Sequence, residues 1–341
     1  MFPIVAINIS DIKKSGRVLA NANSNPGEIR EAELLVEEWR KHHYYPIMTI
    51  QGTLRNHVKR MSDSQSIVVQ RLKKMQTIRN KLKRFPTMDL HRMQDIGGCR
   101  AIFSDCDYVY ELRDRLMKST MKHDVELKKD YITNPKEDGY RGIHLITMYK
   151  SRKNSSYNGF KVEIQIRTHF QHLWSTAVET VGTFINCPLK SDQGPKEWLD
   201  FFRLISSLIA WDEKCNTVPG TPNEKSEIVK GIKELNKKYA IDKQLSAISA
   251  SCNYIQKNKI RNRKIYVLVI KDQGKNVEVA EYKKLEEANR HYIGAEKDEK
   301  NNAVLVSAAS IDALKKAYPN YFMDISGFVH LAKRLTEGEI S

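Results

Sequence analysis

The 341 residues are enough for one large domain and a smaller one, and the 40% apolar content suits a globular chain, which excludes wholesale disorder. Lys and Arg outnumber Asp and Glu 57 to 41, a formal net charge of +16, so the expected partners are polyanions or nucleotide phosphates. Five cysteines without a C-x-x-C pair exclude a disulfide framework or paired-cysteine zinc site, and no apolar run approaches the ~20 residues of a membrane span.

The opening residues lack a signal-peptide pattern, so a soluble protein of the reducing cytoplasm is expected, with no membrane partner. Residues 1–25 read as a lead-in. Helical spacing of Ile29, Ala32, Leu35, Val36 and Trp39 predicts a helix over 28–43, and a second is predicted over 47–61. Residues 65–84 read as a basic helix or loop-helix, ending before Phe85-Pro86. A short apolar strand is predicted at 98–104, a helix at 107–118 and a strand at 125–131. Residues 134–142 form a loop, and 143–149 and 160–167 a strand pair around a polar turn. Helices follow at 170–181 and 198–215, then a Pro/Gly connection at 218–223 and a helix through about Lys257. Past a polar, basic break at 258–264 lies a compact ββαβα-like pattern of about eighty residues. Its strands are placed at 265–270, 277–282 and 303–308, and its helices at 285–293, 311–317 and 325–335.

The most informative stretch is Lys161–Thr168, KVEIQIRT. Val162, Ile164 and Ile166 alternate with Glu163, Gln165 and Arg167, the period of a strand with one buried face and a carboxylate, an amide and a guanidinium on the other. Three more constellations lie upstream. In Arg71-x-Lys73-x-x-x-Thr77-x-x-x-Lys81 the Lys, Thr and Lys share one face if the segment is helical. Arg71 would then clamp phosphate in bidentate fashion, and the lysines would act as point charges. The same residues would also suit an exposed amphipathic helix. From Leu54 to Arg100 twelve Lys/Arg stand against three Asp/Glu, which favours phosphate binding for the cluster as a whole.

Asp95-Ile-Gly-Gly-Cys-Arg100 puts a carboxylate before a Gly-Gly turn and a strand. With Glu163 it would supply the one or two carboxylates that Mg²⁺ takes from protein when phosphate oxygens complete its shell; alone, Asp95 reads equally as a turn or cap residue. Residues 131–144 place Tyr140 and Arg141 between Gly139 and Gly142. There Tyr140 could stack on a base while Lys136, Arg141 and His144 contact phosphate, or the loop could be plain surface with a packing Tyr.

In order and spacing, these segments with Gln171-x-x-Trp174-x-x-x-x-Glu179 resemble the RelA/SpoT-type alarmone synthetase domain, over about residues 45 to 185. Any one motif is weak; four in register are specific. The resemblance implies an α+β, nucleotidyltransferase-like mixed sheet flanked by helices, with the ββαβα-like unit as a small C-terminal addition. It implies transfer of the β,γ-diphosphate of ATP to a ribose 3′-hydroxyl, usually of GDP or GTP, with Mg²⁺. Residue by residue, Arg71, Lys73, Lys81 and Arg100 would bind ATP, and Asp95 and Glu163 would hold the metal and serve catalysis. Lys136, Tyr140, His144, Gln165 and Arg167 would bind the acceptor. Two departures are Thr77 where Ser is common, and Glu179-Thr180 where Glu-His is common.

The motifs begin about seventy residues in, so the hydrolase domain of the long bifunctional members is not expected before them. The C-terminal addition resembles the fused toxin–antitoxin members, the CapRel type. Those pyrophosphorylate the 3′ end of tRNA and are restrained until a phage protein is sensed. The resulting division is a helical lead-in at 1–45, a synthetase domain with trailing helices at 46–257 and a regulatory αβ domain at 258–341. The basic surplus suits an RNA acceptor, so the reading leans to the tRNA 3′ end with GDP or GTP close behind, though it would also suit a nucleotide enzyme with a basic surface; a non-catalytic RNA- or nucleotide-binding regulator on the same scaffold is the further alternative. The aromatic cluster 318–322 is read as packing for the small domain, or as a plug or partner site.

Overall fold

In this computed structural model the described residues are 8–73, 75–118, 123–185, 187, 189, 193–257, 265–271, 276–296, 302–307 and 325–337. Packing divides the chain into two units, Met1–Ile132 with Gly142–His169, and Thr133–Arg141 with Phe170–Ser341. Among the described residues no helix is long and apolar enough to cross a membrane.

The first unit opens with three helices, α1 (Ile9–Ala20), α2 (Pro26–His42) and α3 (Tyr44–Val58). Within the segment read as a lead-in, Asn8 caps α1, which buries Ile12, Ser15, Gly16 and Leu19 along one face. A capping box starts α2, with Asn25 and Glu28 exchanging side-chain-to-backbone bonds and Pro26 in the first turn. Together α1 and α2 share an apolar core with α4 (Met75–Arg84) that includes Ile12, Leu19, Val36, Trp39, Ile78, Leu82 and Ile96.

Five strands make one sheet: β1 (Ile67–Leu72), β2 (Gly97–Phe103), β3 (Asp124–Asp130), β4 (Ile143–Met148) and β5 (Lys161–Thr168), in the order β1-β2-β5-β4-β3. Only β2 and β5 are parallel, so the sheet is mixed. The basic helix or loop-helix expected at 65–84 keeps its helix in the back half and is corrected in the front, which is a strand. Ile67-Val68-Val69 leads an edge strand that pairs antiparallel with β2, and the helix begins only at Met75. Three β-branched residues that meet the exposed edge of β2 decide the matter against helix-compatible lysines and arginines. The sheet face carrying Cys99, Ala101, Val162, Ile164 and Ile166 is buried, with α3 and α5 (Cys106–Lys118) against it. The opposite face carries the polar residues of interest.

The second unit is built on α6 (His169–Phe184), α7 (Lys196–Asp212), α8 (Lys225–Tyr239) and α9 (Ile241–Lys257). The single helix expected up to Lys257 is two. Ala240 takes a left-handed conformation (φ 50°), its N–H bonds to the Asn236 carbonyl, and the Asn236 side chain accepts from the Asp242 N–H. Strands β6 (Ile265–Lys271), β7 (Asn276–Tyr282) and β8 (Asn302–Ser307) form an antiparallel sheet in the order β7-β6-β8, with α10 (Leu285–Glu296) packed on it. The last helix, α11 (Ser326–Glu337), does not close this small unit. Its Phe328, Leu331 and Leu335 join the core of α6–α9, with the Phe328 ring 5.8 Å from that of Phe202. The expected helix at 311–317 and the aromatic cluster 318–322 lie outside the described residues.

Candidate active site

Register builds the polar face of the first sheet. Arg71 on β1 stands opposite Gly98 on β2, Gly98 opposite Glu163 on β5, and Glu163 opposite Ile146 on β4. One row along, Arg100, Gln165 and His144 stand side by side. Opposed residues share a face, so the guanidiniums of Arg71 and Arg100, the Glu163 carboxylate, the Gln165 amide and the His144 ring all rise from one surface. Gly98 puts no side chain between Arg71 and Glu163, and the Arg71 stem lies over it.

Lys73 follows β1 immediately, and its N–H extends the ladder by one bond to the Ile96 carbonyl (2.7 Å). The helical i, i+4 spacing thus holds for Thr77 and Lys81, both on α4, and not for Lys73, which precedes it. The two lysines nevertheless meet. Lys73 Nζ lies 2.7 Å from one oxygen of Asp95 and Lys81 Nζ 3.0 Å from the other. Burial pushes the Asp95 carboxyl up, but the two ammoniums pull it down further, to about 2. Burial also pulls Lys73 below its ordinary range, more than Asp95 restores.

Glu163 is held just as fully. His144 Nδ1 is 3.0 Å from its Oε1, and the Gln165 amide donates to its Oε2 at 2.9 Å. Gln165 in turn accepts from Arg167 at 2.6 Å and from Arg100 at 3.4 Å. Burial and the nearby Asp95 charge push the Glu163 carboxyl up, while the His144 bond and Arg71 outweigh them and leave it below its usual range. Gly98, three residues after Asp95, stands opposite Glu163 in the register of β2 and β5. Both carboxylates are ionised oxygen donors of the kind Mg²⁺ takes. Among the described residues, no third Asp, Glu, His or Cys joins the two in a three-ligand cluster.

The other expected site residues divide. Arg167 is buried (2% exposed) and donates to Gln165, which in turn holds Glu163. Lys136 and Tyr140 belong to the second unit, on a loop that Ser206 and Asn216 hold by bonds to the carbonyls of Gly139 (2.6 Å) and Thr133 (2.6 Å). Tyr140 is half-buried against the helical core, with the Lys136 ammonium 5.3 Å from its ring centre. The phosphate contact expected of Arg141 is corrected: it is buried and donates to Ser206 Oγ (3.1 Å) and the Asn216 carbonyl. Of the motif after the octet, Trp174 donates to the Phe202 carbonyl at 2.8 Å and Gln171 to Glu213 at 2.9 Å, so both brace the helical unit.

Residues 70–181 match the family described as a region found in RelA / SpoT proteins. GTP pyrophosphokinase YjbM of Bacillus subtilis (strain 168) is 33% identical over 159 residues, which are 46% of this chain and 73% of that protein. GTP pyrophosphokinase YwaC of the same bacterium is 33% identical over 150 residues, 42% of this chain and 69% of that one. The chain belongs to the RelA/SpoT family. Among solved structures, small alarmone synthetase 1 from B. subtilis bound to its product pppGpp is 22% identical, covering 52% of this chain and 92% of that one, with a TM-score of 0.46. This RelA/SpoT protein is a pyrophosphotransferase, and the matched segment holds nearly the whole polar face, from β1 through β5.

Proposed function

We propose that the chain moves the β,γ-diphosphate of ATP to a ribose 3′-hydroxyl from the polar face of the first sheet. The supporting observation is the convergence there of Lys73 and Lys81 on Asp95, with Arg71 beside Glu163. The acceptor oxygen attacks the β-phosphorus, the bond from that phosphorus to the oxygen bridging to the α-phosphate breaks, and AMP leaves with the electron pair. The proton of the 3′-hydroxyl passes to the Glu163 carboxylate, which its depressed pKa keeps ionised at neutral pH. Arg71, Lys73, Lys81 and Arg100 hold the polyphosphate in line, where alignment and charge supply most of the rate. Asp95 and Glu163 would hold Mg²⁺, which would offset charge on the phosphates. A Mg²⁺ ion that arrives with a nucleotide fits this donor set, because the phosphates offer the two lysines a replacement for Asp95.

The names of the relatives favour GDP or GTP as acceptor. A tRNA 3′ end is the second reading, favoured by the net charge of +16 and by some 160 residues beyond the matched segment. On that reading residues 258–341 restrain a translation-blocking enzyme of the CapRel type until a phage protein binds. Incubation with γ-labelled ATP, Mg²⁺ and either GDP, GTP or deacylated tRNA identifies the acceptor by which one carries label. Label in none of them, from folded protein, refutes the reaction.

A further inference from the structure

We propose that Arg40, on the N-terminal helix α2, is a positioning residue that sets the phosphate-binding lysine Lys73; this rests on the reading of Lys73 as an ATP ligand. The Arg40 Nε donates to the Lys73 carbonyl at 2.7 Å, across 33 residues of sequence. The Lys73 N–H bonds to the Ile96 carbonyl at the same distance, so both backbone groups of this one residue are fixed, one from β2's approach and one from α2. The Arg40 side chain is only 13% exposed, and Glu37, one turn earlier, engages its other arm. Lys73 lies where the ladder of β1 has ended and α4 has not begun, so no regular element holds its carbonyl.

The clamp belongs to a wider layer. Glu33 on α2 binds Arg79 on α4 at 2.7 Å, and α4 carries Lys81. Gly16 of α1 lies so close to the turn before β2 that a Cβ there would sit 2.8 Å from the Leu90 Cβ. The N-terminal helices thus grip the three segments that deliver Lys73, Lys81 and Asp95. A lysine has a long flexible stem, so the place of its ammonium depends on where its Cα is held. Small misplacements of such groups cost disproportionately in binding and rate.

The test uses the full chain, calorimetry with α,β-methylene ATP and Mg²⁺, and thermal melting. Arg40→Met keeps the aliphatic stem but loses the donor, and is expected to weaken analogue binding about ten-fold. Arg40→Lys is expected to recover most of the loss, and Arg30→Gln on the exposed side of α2 to lose nothing. In a Lys73→Met background Arg40→Met is expected to add no further loss, since the group it positions is gone. The clamp is overturned if Arg40→Met lowers the melting temperature and leaves analogue affinity unchanged, or if its effect is undiminished without the Lys73 ammonium. Wild type that fails to bind the analogue at all overturns the assignment of the ATP site and the clamp with it.

Discussion

Removing the charge of Asp95 is the sharpest test of the electrostatics at the site. Its carboxyl falls from 3.8 to about 2 because two ammoniums stand within 3.0 Å, and at ~1.4 kcal/mol per pH unit this amounts to about 2.5 kcal/mol. Asp95→Asn forfeits that sum and leaves Lys73 and Lys81 facing one another with no anion between them. At ~2–4 °C per kcal/mol for a unit of this size, calorimetry near pH 7 should show a drop of about 5–10 °C in the melting of the first unit. Lys73→Met should cost clearly less. Burial depresses the Lys73 ammonium more than Asp95 restores it, so its removal relieves a desolvated charge and leaves Lys81 on Asp95. The sign of the pH dependence follows from a depressed acid. The contribution is complete above pH 3.8 and disappears as the pH falls through about 2, so the deficit of Asp95→Asn should be level from pH 8 to 5 and shrink below 4. An Asn variant as stable as wild type at pH 7, or a deficit that stays unchanged at pH 3, would refute the reasoning.

His43 is buried with its Nδ1 2.9 Å from the Trp39 carbonyl, and burial takes its pKa from 6.5 to about 4. Its neutral form is the folded one, so stability should fall by about 3 kcal/mol as the pH drops from 6.5 to 4, and urea titrations of a His43→Phe variant should lack that slope. Glu163→Gln should reduce diphosphate transfer at least a hundred-fold while α,β-methylene ATP still binds; unchanged turnover would remove Glu163 from the chemistry. Gly139→Ala should destabilise the second unit by 1 kcal/mol or more on the order-of-magnitude scale of backbone strain, since its φ is +93° and a Cβ would meet Trp174 at 2.9 Å, and thermal melting will show it. Ala288→Asp should unpack α10 from Val267 and Val269 of the small sheet; if residues 258–341 restrain the enzyme, transfer should rise in that variant. Deletion after Cys252 cannot serve this purpose, because it removes α11 and with it part of the helical core.

Much of the site could be read from the chain because its key residues sit on strongly patterned elements. The alternation in KVEIQIRT is the signature of β5, and parallel pairing with the Gly-Gly strand β2 brings Glu163 beside Gly98, three residues from Asp95. What could not be read were features decided by distant partners. β1 has only three β-branched residues among cations, and it takes its form from the edge of β2. Arg141 looks like a ligand-binding cation in sequence, but the partners that make it internal, Ser206 and Asn216, come 65 and 75 positions later. The α8–α9 break has no glycine to announce it, since Ala240 adopts the left-handed conformation itself. The first helix was hidden because Ser15 and Gly16 fill two of its inward positions and dilute the apolar stripe.

The arrangement of charges suggests why Asp95 holds two lysines at once. Arg71, Lys73, Lys81 and Arg100 set four cations against the two carboxylates, a surplus that suits a polyphosphate but would drive the ammoniums apart while none is bound. Asp95, one oxygen to each lysine, keeps them together and aimed. On the proposed reaction, phosphate oxygens would replace it at the lysines, and the carboxylate so released would be open to the cation that accompanies the nucleotide. A variant with the lysines intact but Asp95 replaced by Asn should therefore lose affinity for α,β-methylene ATP without Mg²⁺ as well as with it, since it loses the ordering of the cations along with a metal ligand. Loss confined to the Mg²⁺-containing titration would show that Asp95 serves the metal alone.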